Sequence, residues 1–334
     1  MAAAAVFALS FVASAQTFKV EKWNIGGEGG TDYLVAEQGT GRVFISRQTH
    51  VMVVDGMTGK VLGDIPNTPR MHGIGLAPKW NHGFTTNGGD SSVTMFDLKT
   101  LAFIKKIPVK VGGLDGIMYD EYDDLIVLTN HSKVGTAITL NANTGDIIGT
   151  AELEDNAPEG AMADGKGHIF VNNEGKNTIQ VVDVKTMKAT ASWPVCDGPT
   201  GLAYDKPSNR LFVGCGKSSN VVDASTGKVV ATITNGDGVD ALGYDQKEKL
   251  VYIPAGRAGN VTVVRQDGAD KYTVVGTVTT VPGAKTIAVD AVSHRAYLFQ
   301  PERGPSTPPP AGSPAGARNT PGPILNAWFV AISH

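Results

Sequence analysis

A short phrase, V-V-D-x-x-T-G-K, recurs along this chain and constrains its fold more than any other feature. It is complete at 53–60 and 221–228, and at 181–188 a Met replaces the Gly. Degenerate copies surround Asp97 and Asn141. The copies lie about 42 residues apart, and self-similarity at this period predicts a repeat fold in which each unit is a small antiparallel sheet.

One repeat contains four strands, and the copy at 199–235 shows them most clearly. Its apolar runs, each bounded by turn residues, are 201–205, 210–214, 221–223 and 228–233,. In the D-x-x-T-G turn, an Asp or Asn side chain accepts hydrogen bonds from the following backbone, and Gly supplies a positive φ. Leu101 and Met187 occupy the Gly position in two copies, so we expect a variant turn there.

Counting the units gives seven, and the two ends of the chain are offset by one strand. A fourth-type strand, 18–25, precedes the first unit, whereas the last unit ends with a third-type strand, 327–332. Pairing these two strands completes the last sheet and removes an exposed edge. The sequence therefore predicts an all-β, seven-bladed β-propeller of four-stranded blades closed by its N-terminal strand. A β-sandwich and an open solenoid are alternatives that the offset disfavours.

The ends and the composition define the domain organisation of the 334 residues. Residues 1–15 are apolar and end in Ala13-Ser14-Ala15, which predicts a signal peptide and a periplasmic or secreted protein,. Residues 16–334 are predicted to form one propeller domain, monomeric, with a disordered Pro-rich insertion at 302–323. A net charge of −3 without a basic run gives no indication of bulk attraction to nucleic acid,. No apolar stretch is long enough to span a bilayer.

The repeat also carries a family resemblance. The pattern G-x-x-Y-D-x-x-x-x-R-L-F-V at 201–213, followed by V-V-D-x-x-T-G-K, resembles the YVTN-repeat propellers. Over residues 17–334 the chain is similar to the YncE-like family of exported bacterial proteins. The resemblance implies a fold and a compartment but no agreed chemistry, so the function has to be argued from individual residues.

The chain has two cysteines, and the propeller brings them together. Cys196 precedes the first strand of the fifth blade, and Cys215 follows its second strand. Both loops open on the same face, and an oxidising compartment favours a disulfide between them. Two free thiols are the alternative.

The repeat alignment also predicts a ring of polar residues at one mouth of the central channel. The residue just before each first strand should lie there, because the first strands of a propeller line its channel. These residues are Asp32, His72, Asp115, Glu159, Thr200, Asp240 and Lys285. Loops between second and third strands open on the same face and add Arg47, His50, His131, Glu174 and Arg257.

Three interpretations of this mouth remain open. It is a solvated rim, a ligand cleft, or a divalent metal site. For a ligand, which could be a small molecule, a peptide or a protein, the candidate residues are Asp32, Arg47, His50, His131, Glu174, Arg257 and Lys285. For a metal, the only cofactor considered, they are His72, Asp115, Glu159 and Asp240, because imidazole and carboxylates together suit Zn, Mn, Fe or Ca.

The sequence leaves open whether the protein is an enzyme. It contains no H-E-x-x-H, G-x-S-x-G or Walker motif,. We therefore expect an exported binding protein that holds its ligand or partner at this mouth. The alternative is a metal-dependent, lactonase-like hydrolase at the same place.

Overall fold

The structure is a computed structural model that describes residues 16–310, 312 and 319–334. The predicted signal peptide at 1–15 lies outside the described residues. The strand β1 (Lys19–Asn24) comes first, and the remaining strands follow in seven consecutive groups, called blades one to seven here. Two 3₁₀ turns, Pro78–Trp80 and Glu174–Lys176, are the helical elements among the described residues.

Blades one to three have the following strands in chain order. Blade one comprises β2 (Leu34–Ala36), β3 (Arg42–Ser46), β4 (Val51–Asp55) and β5 (Val61–Ile65). Blade two comprises β6 (Met71–Ala77), β7 (His82–Asn87), β8 (Ser92–Asp97) and β9 (Phe103–Pro108). Blade three comprises β10 (Leu114–Asp120), β11 (Leu125–Asn130), β12 (Thr136–Asn141) and β13 (Ile147–Glu152).

Blades four to seven continue in the same way. Blade four comprises β14 (Pro158–Ala163), β15 (His168–Asn173), β16 (Thr178–Asp183) and β17 (Lys188–Pro194). Blade five comprises β18 (Gly201–Asp205), β19 (Arg210–Gly214), β20 (Ser218–Asp223) and β21 (Val229–Thr234). Blade six comprises β22 (Gly243–Asp245), β23 (Leu250–Ala255), β24 (Asn260–Gly268) and β25 (Lys271–Thr279). Blade seven comprises β26 (Ala288–Asp290), β27 (Arg295–Arg303), β28 (Ile324–Ser333) and the N-terminal β1.

The seven sheets close into a ring, as the sequence predicted. Each is an antiparallel four-stranded meander, and in blade seven the order is β26-β27-β28-β1. The closing pair runs in register from Lys19 opposite Ser333 to Asn24 opposite Trp328. Each innermost strand contacts the innermost strands of both neighbouring blades, from β2 round to β26 and back to β2. The prediction of a seven-bladed β-propeller closed by the N-terminal strand is therefore confirmed.

The core consists of seven apolar clusters, one between each pair of neighbouring blades. The valine pair of the repeated phrase supplies two of them at once, because successive side chains of a strand point to opposite faces. Val53 packs toward blade two and Val54 toward blade seven, and both are fully buried. Both faces of each blade are thus covered, which explains the unbroken apolar runs of the inner strands.

The turn after the valine pair uses the hydrogen bonds that the sequence suggested. Asp55 Oδ1 accepts hydrogen bonds from the N–H of Met57 (2.9 Å) and from the N–H (2.8 Å) and O–H (2.9 Å) of Thr58. The N–H of Gly59, at φ 69°, donates to the carbonyl of Asp55 and closes the turn. Each phrase therefore ends its strand with a preformed hairpin.

The variant turn expected at Leu101 and Met187 does not occur. Both residues adopt the left-handed conformation, at φ 61° and 50°, and close the same turn onto Asp97 and Asp183. Their side chains lie over Gly63 and Gly149, where a Cβ would come within 2.7 and 2.5 Å of them. The packing of these side chains across the blade boundary compensates for the strained backbone.

The predicted element boundaries differ from the structure mainly near the termini. The strand expected at 327–332 is longer and spans Ile324–Ser333, and β27 extends to Arg303. Glu302 and Arg303 therefore belong to a strand and not to the Pro-rich insertion. Inside the insertion, Thr307 and Thr320 form an isolated β-bridge. Residues 311 and 313–318 lie outside the described residues.

Candidate functional site

Three of the predicted ring residues project from β-bulges at the start of their strands. The pairing register shifts between Met71 and Ile74, between Leu114 and Ile117, and between Pro158 and Ala161. Each interval contains one ring residue followed by a glycine: His72-Gly73, Asp115-Gly116 and Glu159-Gly160. A bulge redirects a side chain, and here it turns these side chains toward the mouth.

The glycine after each ring residue allows the blades to approach closely. A Cβ on Gly73 would lie 3.1 Å from the carbonyl oxygen of Asp115, and one on Gly116 would lie 3.0 Å from that of Glu159. Hydroxyl groups also fix the ring backbone. Thr286 Oγ1 donates to the carbonyl of Asp32 (2.7 Å) and Thr129 Oγ1 to that of Glu159 (3.1 Å). The ring side chains therefore extend from a rigid support.

On the side of blades one to four, carboxylates and imidazoles alternate in a continuous chain. His72 Nδ1 lies 2.6 Å from Asp32 Oδ2 and 3.3 Å from Asp115 Oδ1. His131 Nε2 lies 3.1 Å from both Asp115 Oδ2 and Glu159 Oε1. This half of the mouth is therefore closed by its own side chains. We call this set of side chains the His–carboxylate chain; its members are Asp32, His72, Asp115, His131 and Glu159.

Tyr33 crosses the channel beneath this chain. Its hydroxyl, on blade one, donates a 2.8 Å hydrogen bond to Glu159 Oε2 on blade four. Below it the channel is narrow and lined by apolar side chains such as Ile74, Met118 and Met162, with a cavity of about 160 Å³. The sequence reasoning did not identify Tyr33, although its position directly after the ring residue Asp32 was a usable signal.

Burial and neighbouring charges shift the pKa values of this half of the mouth. Burial raises the pKa of Glu159 to about 7 and also raises that of Asp115, and the mutual repulsion of the carboxylates adds to both,. Burial alone would lower the pKa of His131, but Glu159 and Asp115 raise it to about 9. The hydrogen bond that the His72 imidazole donates to Asp32 raises the pKa of His72. The His–carboxylate chain thus favours protonated imidazoles between its carboxylates.

The other half of the mouth is open. A cavity of about 720 Å³ is lined by groups from blades four to seven, including Glu174, Asp197, Thr200, Asp240, Arg257 and Lys285. Backbone at Gly198, Gly216, Gly238, Gly256 and Gly283 forms much of the remaining wall. We call this space the mouth pocket. Lys285 Nζ lies 2.6 Å from Asp240 Oδ2 at the border of the pocket, and Arg257 lies 3.1 Å from Asp237.

The structure places the remaining predicted residues in different surroundings. Arg47 is fully buried, and its guanidinium donates to the carbonyls of Gly26, Gly27 and Gly30, so it fastens the N-terminal loop and is not exposed at the mouth. His50 contacts Asp64 on the outer strand β5 at 3.5 Å. Asp240 pairs with Lys285, so it stands apart from the other three metal candidates.

Among the described residues, two groups of side chains have donor atoms close enough to hold a metal ion. They are Asp32, His72 and Asp115, and Asp115, His131 and Glu159, with all donor atoms of a group within 4.8 Å of one another. The sequence placed His131 among the ligand-binding residues, because the alignment could not show that its loop reaches back to the ring.

The predicted disulfide is confirmed. Cys196 and Cys215 are bonded and join the segment before β18 to the one after β19. Their neighbours Asp197, Gly198 and Gly216 line the mouth pocket. The bond therefore braces one wall of that pocket.

Comparison with known proteins identifies the architecture. No family model and no curated protein sequence matches the chain. Among solved structures, it is similar to the RRP9 WD40 repeats, with a TM-score of 0.76, 8% identity, and coverage of 93% of this chain and 97% of that chain. It is also similar to Kuenenia stuttgartiensis hydrazine synthase, with a TM-score of 0.70, 15% identity, and coverage of 82% and 93%. A chain of the mitotic checkpoint complex is similar with a TM-score of 0.73 and 13% identity, and the match covers 88% of this chain and 95% of that chain.

At these identities the likeness concerns the fold alone, since one fold serves many functions. Within the described residues, no helix is both long and apolar enough to cross a bilayer. The chain is an all-β, seven-bladed β-propeller.

Proposed function

We propose that this propeller is a binding protein and that the mouth pocket is its ligand site. The observation that carries the proposal is the division of the mouth into a closed half and an open half. The open half has a cavity of about 720 Å³, within the range of about 300–1,000 Å³ typical of small-molecule sites. β-Propellers commonly bind partners, and this one offers an open, polar and rigidly framed recess at the end of its channel.

The lining of the pocket favours a small ligand that carries both signs of charge. Lys285 and Arg257 can meet an anionic group, whereas Glu174 and Asp197 can meet a cationic one. The glycines between them carry no side chains and so leave room for a ligand, and the N–H groups of Gly238, Gly256 and Gly283 are already bonded to the carbonyls of neighbouring loops. Recognition of the ligand therefore depends on the charged side chains. A free amino acid or short peptide, with an ammonium and a carboxylate, has this chemistry.

Gly216 allows a direct test of the site. It lines the pocket, its φ lies outside the left-handed region, and a Cβ there would meet no atom within 4 Å. Gly216→Phe should therefore fill the pocket without disturbing the fold. Gly268→Phe is the matched control, because Gly268 lies in the β24–β25 hairpin outside the pocket and also has free space around it.

The measurement is calorimetric titration with a mixture of free dipeptides and with the same dipeptides capped at both ends. We expect the free dipeptides to bind the wild type and Gly268→Phe, and Gly216→Phe to bind at least tenfold more weakly. Capping should weaken binding to a similar degree. Equal binding by Gly216→Phe and the wild type, or no binding of free dipeptides to the wild type, would contradict the proposal.

We further propose that the chain is a YVTN-repeat, YncE-like protein that acts outside the cytoplasm. The repeat phrase supports the family, and the disulfide is compatible with an oxidising compartment,. Sequencing the N-terminus of the mature protein tests the compartment, and we expect it to begin at Gln16. The metal-capable groups stand on blades one to four, whereas the pocket opens among blades four to seven, and this separation disfavours the hydrolase alternative.

A further inference from the structure

The contacts of His131 differ from those of an ordinary histidine ion pair. Its Nε2 is equidistant, at 3.1 Å, from Asp115 Oδ2 and Glu159 Oε1. The carboxylates come from neighbouring blades, and the imidazole comes from the loop after β11. One ring N–H can point well at only one acceptor. The three donor atoms lie within 4.8 Å of one another, and one nitrogen is shared equally between two oxygens.

The neighbouring His72 shows the contrasting arrangement. Its Nδ1 makes a short 2.6 Å hydrogen bond to Asp32 and a longer 3.3 Å contact to Asp115. The proton on this nitrogen therefore has one clear acceptor. Of the two metal-capable groups, the one around His131 has the more symmetric donor set.

Outer contacts hold both carboxylates of this set in place. Glu159 Oε2 accepts a hydrogen bond from Tyr33 at 2.8 Å, which leaves Oε1 facing His131. Asp115 Oδ1 faces His72, which leaves Oδ2 facing His131. Metal-binding carboxylates are typically oriented by such second hydrogen bonds. Tyr33 and His72 thus serve as positioning residues.

We propose that Asp115, His131 and Glu159 form a binding site for one first-row transition divalent cation, such as Zn²⁺ or Co²⁺. Bonds of about 2.0–2.2 Å to nitrogen and oxygen in a tetrahedral site separate the donor atoms by about 3.3–3.5 Å. The observed separations of 3.1 Å from the nitrogen to each oxygen need only a small expansion. The imidazole ligand favours these ions over Ca²⁺ and Mg²⁺, which prefer all-oxygen sites.

The surroundings also favour a bound cation. The side chains of Asp115 and Glu159 are only 13% and 7% exposed, so their negative charges are poorly hydrated. Buried charges require a compensating partner. The His131 imidazolium supplies one positive charge, whereas a divalent ion that displaces its proton would supply two and so compensate both carboxylates. His131 is 38% exposed, which leaves a route for the ion from the mouth. This site lies on the closed half of the mouth, so it is additional to the pocket proposed above.

The test uses the full-length mature protein after removal of metals with a chelator. Addition of Co²⁺ should produce a visible absorption band that saturates at one equivalent, and Zn²⁺ should abolish the band by displacement. Ca²⁺ and Mg²⁺ in millimolar excess should not displace Co²⁺ and should leave the band unchanged. His131→Ala and Glu159→Gln should each weaken Co²⁺ binding at least tenfold.

Two controls separate this site from other histidines. His168→Ala removes an imidazole that also contacts an aspartate, Asp164, at 2.8 Å, but on a different part of blade four, and it should leave the Co²⁺ titration unchanged. His72→Asn removes the imidazole that positions Asp115, so it should bind Co²⁺ more weakly but still at one equivalent, because His72 is not itself a ligand. Glu159→Gln keeps an oxygen for Tyr33, so it tests the site even if His131→Ala does not fold.

Three results would overturn the proposal. They are the absence of a Co²⁺ band in the wild type, unchanged binding by Glu159→Gln, and loss of binding in His168→Ala. None of them depends on the dipeptide titration, so the cation site and the ligand pocket can fail separately.

Discussion

At the scale of single residues, the turn acids of the repeated phrase are the most regular feature of the molecule. Asp183 Oδ1 accepts 2.7 Å hydrogen bonds from both the N–H and the O–H of Thr186. These bonds stabilise the charged carboxylate and hold its pKa below the usual value of 3.8,. The charge of His168 acts in the same direction.

The lowered pKa of Asp183 predicts a specific loss of stability in acid. A carboxyl group whose pKa is lower in the folded state contributes stability above its unfolded pKa and loses it as the pH falls through the folded value. Asp183→Asn keeps an acceptor oxygen for the turn, as Asn141 supplies one in blade three, but the amide cannot titrate. The free energy of unfolding should therefore fall less steeply below pH 4 in the variant, as measured by urea titrations from pH 2 to 7.

The same change in another blade provides an independent repeat of this test. Hydrogen bonds from Thr100 lower the pKa of Asp97 in the same way, so Asp97→Asn should show the same reduced acid sensitivity. Parallel curves for the wild type and both variants would contradict the assigned role of these turns.

At the scale of elements, the disulfide joins two segments of blade five that border the mouth pocket. Cys196 and Cys215 are separated by 19 residues. Closing a loop of this length stabilises a fold by about 3 kcal/mol in the chain-entropy model. The Cys196→Ser/Cys215→Ser variant should remain folded, because the packing between blades is unchanged, but should lose about 3 kcal/mol in urea unfolding.

Hydrogen exchange locates this effect. Amides of residues 197–200 and 216 should exchange faster in the serine variant, whereas those of β11 and β12 should not change. Uniform acceleration through the propeller would show that the bond acts on the whole fold and not on the wall of the pocket.

The strands and their number could be predicted because their signals are local and repeated. The Asp or Asn turn recurs in blades one to five, and the valine pair recurs in blades one, four, five and six. The offset of the termini specifies the strand pair that closes blade seven. The contacts at the mouth have no such repeated signal. Tyr33 reaches Glu159 across the channel, and His131 reaches two acids through a loop, so both depend on distances that only the closed ring determines.

The turn at Leu101 was unpredictable for a related reason. Its left-handed backbone is compensated by packing over Gly63, which lies on the preceding blade. At Gly59 the turn residue is the small partner and the large one comes from the neighbouring blade. The ring of Trp23 packs over Gly59, where a Cβ would come within 2.4 Å of it. A large residue on one blade and a small one on the next form a pair that no single repeat displays.

At the scale of the whole molecule, the closure of the ring depends on one short strand. β1 covers β28 over its length from Trp328 to Ser333, and Trp23 packs against Phe329 with ring centroids 5.9 Å apart. Deleting residues 17–25 would expose the backbone and apolar side chains of β28 as a free edge. The truncated protein should aggregate or lose its cooperative melting transition, as measured by light scattering and circular dichroism.

Lys19→Ala is the control for this deletion. It removes a surface ion pair between Lys19 and Glu21 but leaves the strand pairing intact, so its melting should match the wild type,. An unchanged transition in the deletion variant would mean that six complete blades and a three-stranded seventh are sufficient for the fold.

The pairing of β1 with β28 also determines how the molecule responds to force. The two strands are antiparallel, and Lys19 lies opposite Ser333, so both ends of the domain leave the same end of the ladder. Tension applied between these ends loads the interstrand hydrogen bonds one at a time, beginning at that pair, and does not shear them together. Pulling on the two ends of the domain would therefore peel the N-terminal strand from blade seven before any other blade is strained.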